Sequence, residues 1–244
     1  MYKSSNPVFN RFPEGQVLDS APMTVAGTIN KAFILFAILA IAAGAVVYQA
    51  YMGFADKMII TMYAGLIIGF ILALIISFKP KTAPYLSPVY AFAQGAFLGG
   101  ITLMFETQFQ GIALQAIGTT LAAMFVMLFL FKTKLIQATQ KFRSVMMTAM
   151  LTILGVYLIN LLAGWLFKNP LSFIVSSSPI SIGISCVIAI IAALMLILDF
   201  DFIEYGAKNL LPKYFEWYGA FGLMVTLVWL YLEVLRLFAK LKNR

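Results

Sequence analysis

Residues 180–198 read ISIGISCVIAIIAALMLIL, nineteen consecutive positions without a charge. A helix needs about 20 apolar residues to cross the hydrocarbon core of a bilayer. The run leads directly into 199-DFDFIEYG-206, which carries three acids. Six similar runs are found upstream and downstream, near residues 32–52, 58–78, 86–105, 111–131, 145–167 and 222–239. Each is long enough to span, and the connectors are short. The expected fold is therefore an all-α integral membrane protein with seven transmembrane helices in one compact bundle. A transmembrane β-barrel would show short alternating segments instead, and none is seen.

The composition agrees. Of 244 residues, 62% are hydrophobic and 11% charged, against about 45–50% and about 25% in soluble domains. Histidine is absent and there is one cysteine. That removes Ser-His-Asp triads, the usual zinc sites and any disulfide within the chain. The expectation is a protein that is not an enzyme and carries no cofactor. Cys186, in the middle of the sixth run, is expected to be a small buried packing residue. Residues 1–30 read as a polar tail without the order of a signal peptide, and residues 31–244 as the membrane domain. Thr28 and Asn30 are the expected caps of the first helix.

There are 17 Lys and Arg against 9 Asp and Glu. The cations fall in connectors, which suits topology and anionic lipid and not nucleic acid. Six lie on one side: Lys57, Lys168, Arg236, Lys240, Lys242 and Arg244. The others lie on the side of the N-terminus, which the positive-inside rule places in the cytoplasm. The basic ending 239-AKLKNR-244 then falls on the outer side, against the rule. Gly95 with Gly99, and Gly65 with Gly69, are small-xxx-small pairs that let helix backbones approach.

Five of the nine acids fall between residues 199 and 233. A charge at a helix centre costs about 2.5–3.5 kcal/mol on insertion scales and marks a functional site by default. Asp199 is expected about one turn inside the cytoplasmic end of the sixth helix. Asp201 lies about 200° around the helix from it, so the two do not share one narrow face, and Glu204 lies further out towards water. Glu233 follows ten uncharged residues in 223-LMVTLVWLYLEVLRLF-238. From a start near Gly222 it falls about 16 Å along its helix, close to mid-bilayer. Its plain reading is a local pair with Arg236 at i+3. A carboxyl so desolvated, beside a second that resists joint ionisation, would share a proton. Deprotonated, the two would offer hard oxygens to a cation such as Ca2+.

The segment 230-LYLEVLRLF-238 resembles the LYLDFLNLF-type last helix of the Bax inhibitor-1 family. Likewise 199-DFDFI-203 is similar to its D-x-Q-x-I motif, and 90-YAFAQGAFLGG-100 to its E-G-x-x-L-G stretch. The openings 4-SSNPVF-9 and 216-EWYGAFGLMVTLVWLYLE-233 look like its bacterial Bax inhibitor-1/YccA-like branch, and the resemblance covers essentially the whole chain. It implies helix seven at the centre of the bundle and a pH-sensitive Ca2+ leak of the inner membrane, gated by Asp199 and Glu233, with Asp201 the rival for the motif position. Glu233 replaces the family's Asp, Arg236 its Asn and Gln94 its Glu. The family's Arg in the second helix has no match, which leaves Lys79 as the nearest cation for a latch. The segment 205-YGAKNLLPKYFEWYGAFG-222 looks like an interfacial insertion. The candidate cation and proton site is thus Asp199, Asp201 and Glu233, with Arg236, Gln94 and Lys79 as gating or pairing residues.

Two other classes are open at this stage. One is a stress-related protein that binds and modulates a membrane-protein partner such as a membrane protease, with the N-terminal tail as a contact. The other is an intramembrane aspartyl protease, against which stands the lack of a catalytic Gly-Asp pattern around either acid.

Overall fold

A computed structural model describes residues 22–167 and 176–244. Residues 1–21 of the tail assigned to 1–30, with the partner contact expected there, and Lys168 lie outside them. Seven helices follow in order: α1 (Val25–Tyr51), α2 (Ala55–Phe78), α3 (Ala83–Gln108), α4 (Ile112–Lys132), α5 (Gln140–Phe167), α6 (Pro179–Lys208) and α7 (Phe215–Lys242). All seven are long and apolar enough to cross a membrane. Their outer faces display Phe33, Ile41, Phe70, Phe125, Trp165 and Ile180. So much exposed apolar surface suits lipid, not water.

α7 is the axis. It packs against α1, α3, α4 and α6. Its buried face runs from Phe215 through Met224, Leu227, Leu230 and Leu235. α5 is the outlier, the least buried of the seven, packed mainly on α6.

α1 starts earlier than the hydrophobic run suggests. Its cap is Thr24, not Thr28 or Asn30: the Thr24 hydroxyl accepts the Gly27 N–H at 2.9 Å. Ahead of it, Met23 N–H donates to Leu211 O at 2.7 Å, so the chain entering α1 is tied to the α6–α7 connection. That connection is shorter than the apparent insertion, because α6 continues to Lys208 and α7 begins at Phe215. α6 starts at Ser178, whose hydroxyl accepts the Ser181 N–H at 3.3 Å, followed by Pro179, which needs no N–H partner at N1. The α3–α4 turn rests on Gly111 at φ 78°, a conformation that costs glycine little. Glu106 accepts the Gly111 and Ala113 N–H groups there, at 2.6 and 2.9 Å.

The glycine pairs set the closest helix approach. A Cβ on Gly95 would lie 2.3 Å from Leu39 O, and one on Gly99 would lie 2.5 Å from Ala43 O. α1 and α3 therefore touch backbone to backbone. Cys186 is exposed, contrary to its expected burial. It sits one residue beyond buried Ser185, and a 100° step turns it from the core to the outer face.

The basic ending of α7 makes specific contacts. Lys240 is buried and donates to the hydroxyls of Ser181 and Ser185, each at 2.8 Å. Lys242 donates to Gln110 O at 2.8 Å. These cations serve to fasten the end of α7 to α6 and to the α3–α4 turn, which a count of connector charges does not register.

Candidate functional site

The acids of the last two helices separate into three environments. Asp201 points to α5, where Arg143 pairs with it. Glu204 pairs with Lys208 one turn on, both exposed. Asp199 points the other way, to α7. Thr226 of α7 lies beside it, and the Asp199 Oδ2 is enclosed without a hydrogen-bond partner. The 200° offset between Asp199 and Asp201 along the helix is the cause of this division.

Glu233 does not join them. It is 1% exposed and fully engaged in its own network. Tyr157 of α5 donates to its carboxyl oxygens at 2.9 and 3.0 Å, and the Trp229 indole at 3.1 Å. The Arg236 guanidinium donates to them at 3.1 and 3.2 Å and also to the Tyr157 hydroxyl at 2.7 Å. The expected Asp199–Glu233 pair is therefore not formed. Glu233 lies seven residues beyond Thr226, about 10 Å along the helix at 1.5 Å per residue.

Depth explains why. α7 begins at Phe215, so Glu233 is about 27 Å from its start and about 14 Å from its end. α6 continues nine residues past Asp199, which places that acid about 14 Å from the opposite side. The two acids occupy opposite halves of the bundle. Among the described residues no three His, Cys, Asp or Glu side chains come together as metal ligands, so Asp199, Asp201 and Glu233 do not make one cation site.

The remaining candidates are also distributed. Arg236 is the counter-charge of Glu233. Gln94 is buried with its amide over Gly69 of α2, where a Cβ would lie 2.6 Å from Nε2. Lys79 is exposed after α2 and forms no ion pair among the described residues, so the latch expected through it is not made.

Asp199 lines an open cavity of about 290 Å³ between α2, α6 and α7. Ser77 of α2, Phe202 of α6, and Tyr218, Phe221 and Thr226 of α7 share its wall, with Gly219 and Gly222 beside them. Among the described residues that line it there is no cation. Sequence reasoning finds Asp199 but not its surroundings. Trp229 at i−4 from Glu233 was legible as a same-face neighbour, whereas Tyr157 carries no signal in the sequence.

A third acid, on the first turn of α7, is also enclosed. Glu216, 2% exposed, accepts the Thr24 N–H and hydroxyl at 3.0 and 2.9 Å and pairs with Lys31. It ties the first turn of α7 to the first turn of α1. Replacing Glu216 by Ala removes the shared acceptor of three donors, two on exposed Thr24 and one on half-buried Lys31. An expected loss of about 2 kcal/mol is measurable by thermal unfolding of the detergent-solubilised protein.

A central apolar helix that carries buried acids, packed against four of the other six, defines a class of polytopic membrane proteins. The chain belongs to the Bax inhibitor 1 like family, whose model matches residues 6–243. Comparison with curated proteins finds no match, and comparison with solved structures finds none either.

Proposed function

We propose that the protein is a proton-responsive cation leak of the bacterial inner membrane, with a cytoplasmic N-terminus, no catalytic activity, and Asp199 as its charged element. The observation that carries this reading is a single one: Asp199 lines an open cavity free of cations among the described residues, with its Oδ2 enclosed and unpartnered. Such a carboxyl is costly in either form and is retained where it serves transport or proton binding. Ca2+ as the carried ion is what the family resemblance adds. Only the ionised carboxyl attracts a cation, so the flux falls as protons neutralise it. Thr226, Ser77 and Tyr218 are the polar side chains in the cavity, and Asp201 is held away by Arg143.

Glu233 has a different part in this reading. Bound to Arg236, Tyr157 and Trp229, it closes the other half of the bundle and does not share a proton with Asp199. In proteoliposomes, Asp199→Asn is expected to abolish the pH dependence of Ca2+ flux, while Glu233→Gln keeps it. A pH response in Asp199→Asn equal to that of the parent would end the proposal.

A second reading, a stress-related modulator of another membrane protein, draws on α5. α5, the least buried of the seven helices, offers a long lateral face. A photo-crosslinker at Leu158 in native membranes would then trap a protein. Labelling of lipid alone would remove this reading.

A further inference from the structure

The wall of the Asp199 cavity matches one class of cation better than another. Ca2+ takes six to eight oxygen ligands, several from carboxylates. This cavity has one carboxylate, with the hydroxyls of Thr226, Ser77 and Tyr218. The rest of the wall is largely aromatic and aliphatic. Phe202 and Tyr218 lie edge to face at 5.7 Å between centroids, and Tyr218 and Phe221 follow at 6.3 Å. Three adjacent rings beside one carboxylate form the donor set that recognises alkylammonium ions, through charge, cation–π attraction and contact with the methyl groups. A divalent ion passing this wall keeps most of its water and is held weakly, because one carboxylate and three hydroxyls do not replace its shell.

The volume agrees. About 290 Å³ is near the lower limit of small-molecule sites, roughly 300 Å³, which is ample for a quaternary ammonium group. Of the neighbouring cations, Lys31 is held by Glu216 and Arg143 by Asp201, and Lys79, two residues beyond Ser77, is exposed and outside the cavity wall. Gly222 borders the acid, and a Cβ there would meet Asp199 Oδ1 at 3.7 Å, an ordinary contact.

We propose that the cavity formed by Asp199, Thr226, Phe202, Tyr218 and Phe221 binds an alkylammonium group, either a free small amine or the ammonium of a lipid headgroup. The proposal rests on the reading of Asp199 as the charged element of a cation site, and it names the class of cation.

The test uses the full chain in nanodiscs, with tetramethylammonium as the probe and binding read by calorimetry. Saturable binding is expected, weakened at least tenfold by Asp199→Asn and about tenfold by Phe202→Leu with Tyr218→Leu. Tyr218→Phe, which keeps the ring, retains binding. Ca2+ at matched ionic strength does not displace the probe from the unmodified protein. A headgroup source shows as weaker probe binding in discs containing phosphatidylethanolamine than in discs of phosphatidylglycerol alone, and a free-amine source as equal binding in both. Absence of binding in both discs, displacement by Ca2+, or binding indifferent to the rings overturns the proposal. Ca2+ flux that depends on Asp199 without tetramethylammonium binding overturns this inference and leaves the leak standing. Binding without any flux does the reverse.

Discussion

Valine at position 99 is expected to cost the fold about 3 kcal/mol, the upper part of the range for overpacking. The first added carbon alone would lie 2.5 Å from Ala43 O and 2.8 Å from Ala43 Cα. Both belong to the α1 backbone, which has no rotamer to change. α1 must move away as a body, and its ties at Thr24 and Lys31 to Glu216 resist that movement. Gly118→Val on α4 is the control, because nothing lies within 4 Å of a Cβ there. Thermal unfolding in detergent should show a large drop for Gly99→Val and little change for Gly118→Val. Equal shifts would mean that the α1–α3 contact is looser than the geometry states.

Removing Arg236 should cost more than removing Arg236 and Glu233 together. In Arg236→Leu the Glu233 carboxylate stays buried with only Tyr157 and Trp229 to hold it. Breaking a fully buried pair costs about 3–5 kcal/mol. The Arg236 side chain is 39% exposed, so solvent screening lowers this, and about 2 kcal/mol is expected. Adding Glu233→Leu removes the stranded charge and should restore much of the loss. If the double variant is as unstable as the sum of the singles, the Glu233 network is not a closed unit. Either result also bears on transport, since in the proposed reading this network seals one half of the bundle.

Hydrophobic length alone located every helix, because a bilayer imposes one requirement on all seven and the chain meets it seven times. Helix ends were less legible. α6 and α7 extend past their apolar runs through charged and aromatic residues, such as Glu204 with Lys208 and Phe215 stacked on Tyr214, that hydropathy reads as connector. A start at Gly222 instead of Phe215 places Glu233 near mid-bilayer instead of in the half of the bundle away from Asp199, which makes a pair of the two look natural.

The sequence by itself determined the class of protein, the seven spans, the small-residue contacts at Gly95 and Gly99, and the opposite facing of Asp199 and Asp201. These follow from the length and period of a single helix. Only the tertiary structure decided what each acid meets. Arg143 reaches Asp201 from α5, Tyr157 reaches Glu233 from the same helix, Lys31 reaches Glu216 from α1, and Asp199 alone faces an open cavity. Those partners lie between 58 and 185 residues away in the chain. Burial makes pairing of a charge compulsory, but helix packing chooses the partner.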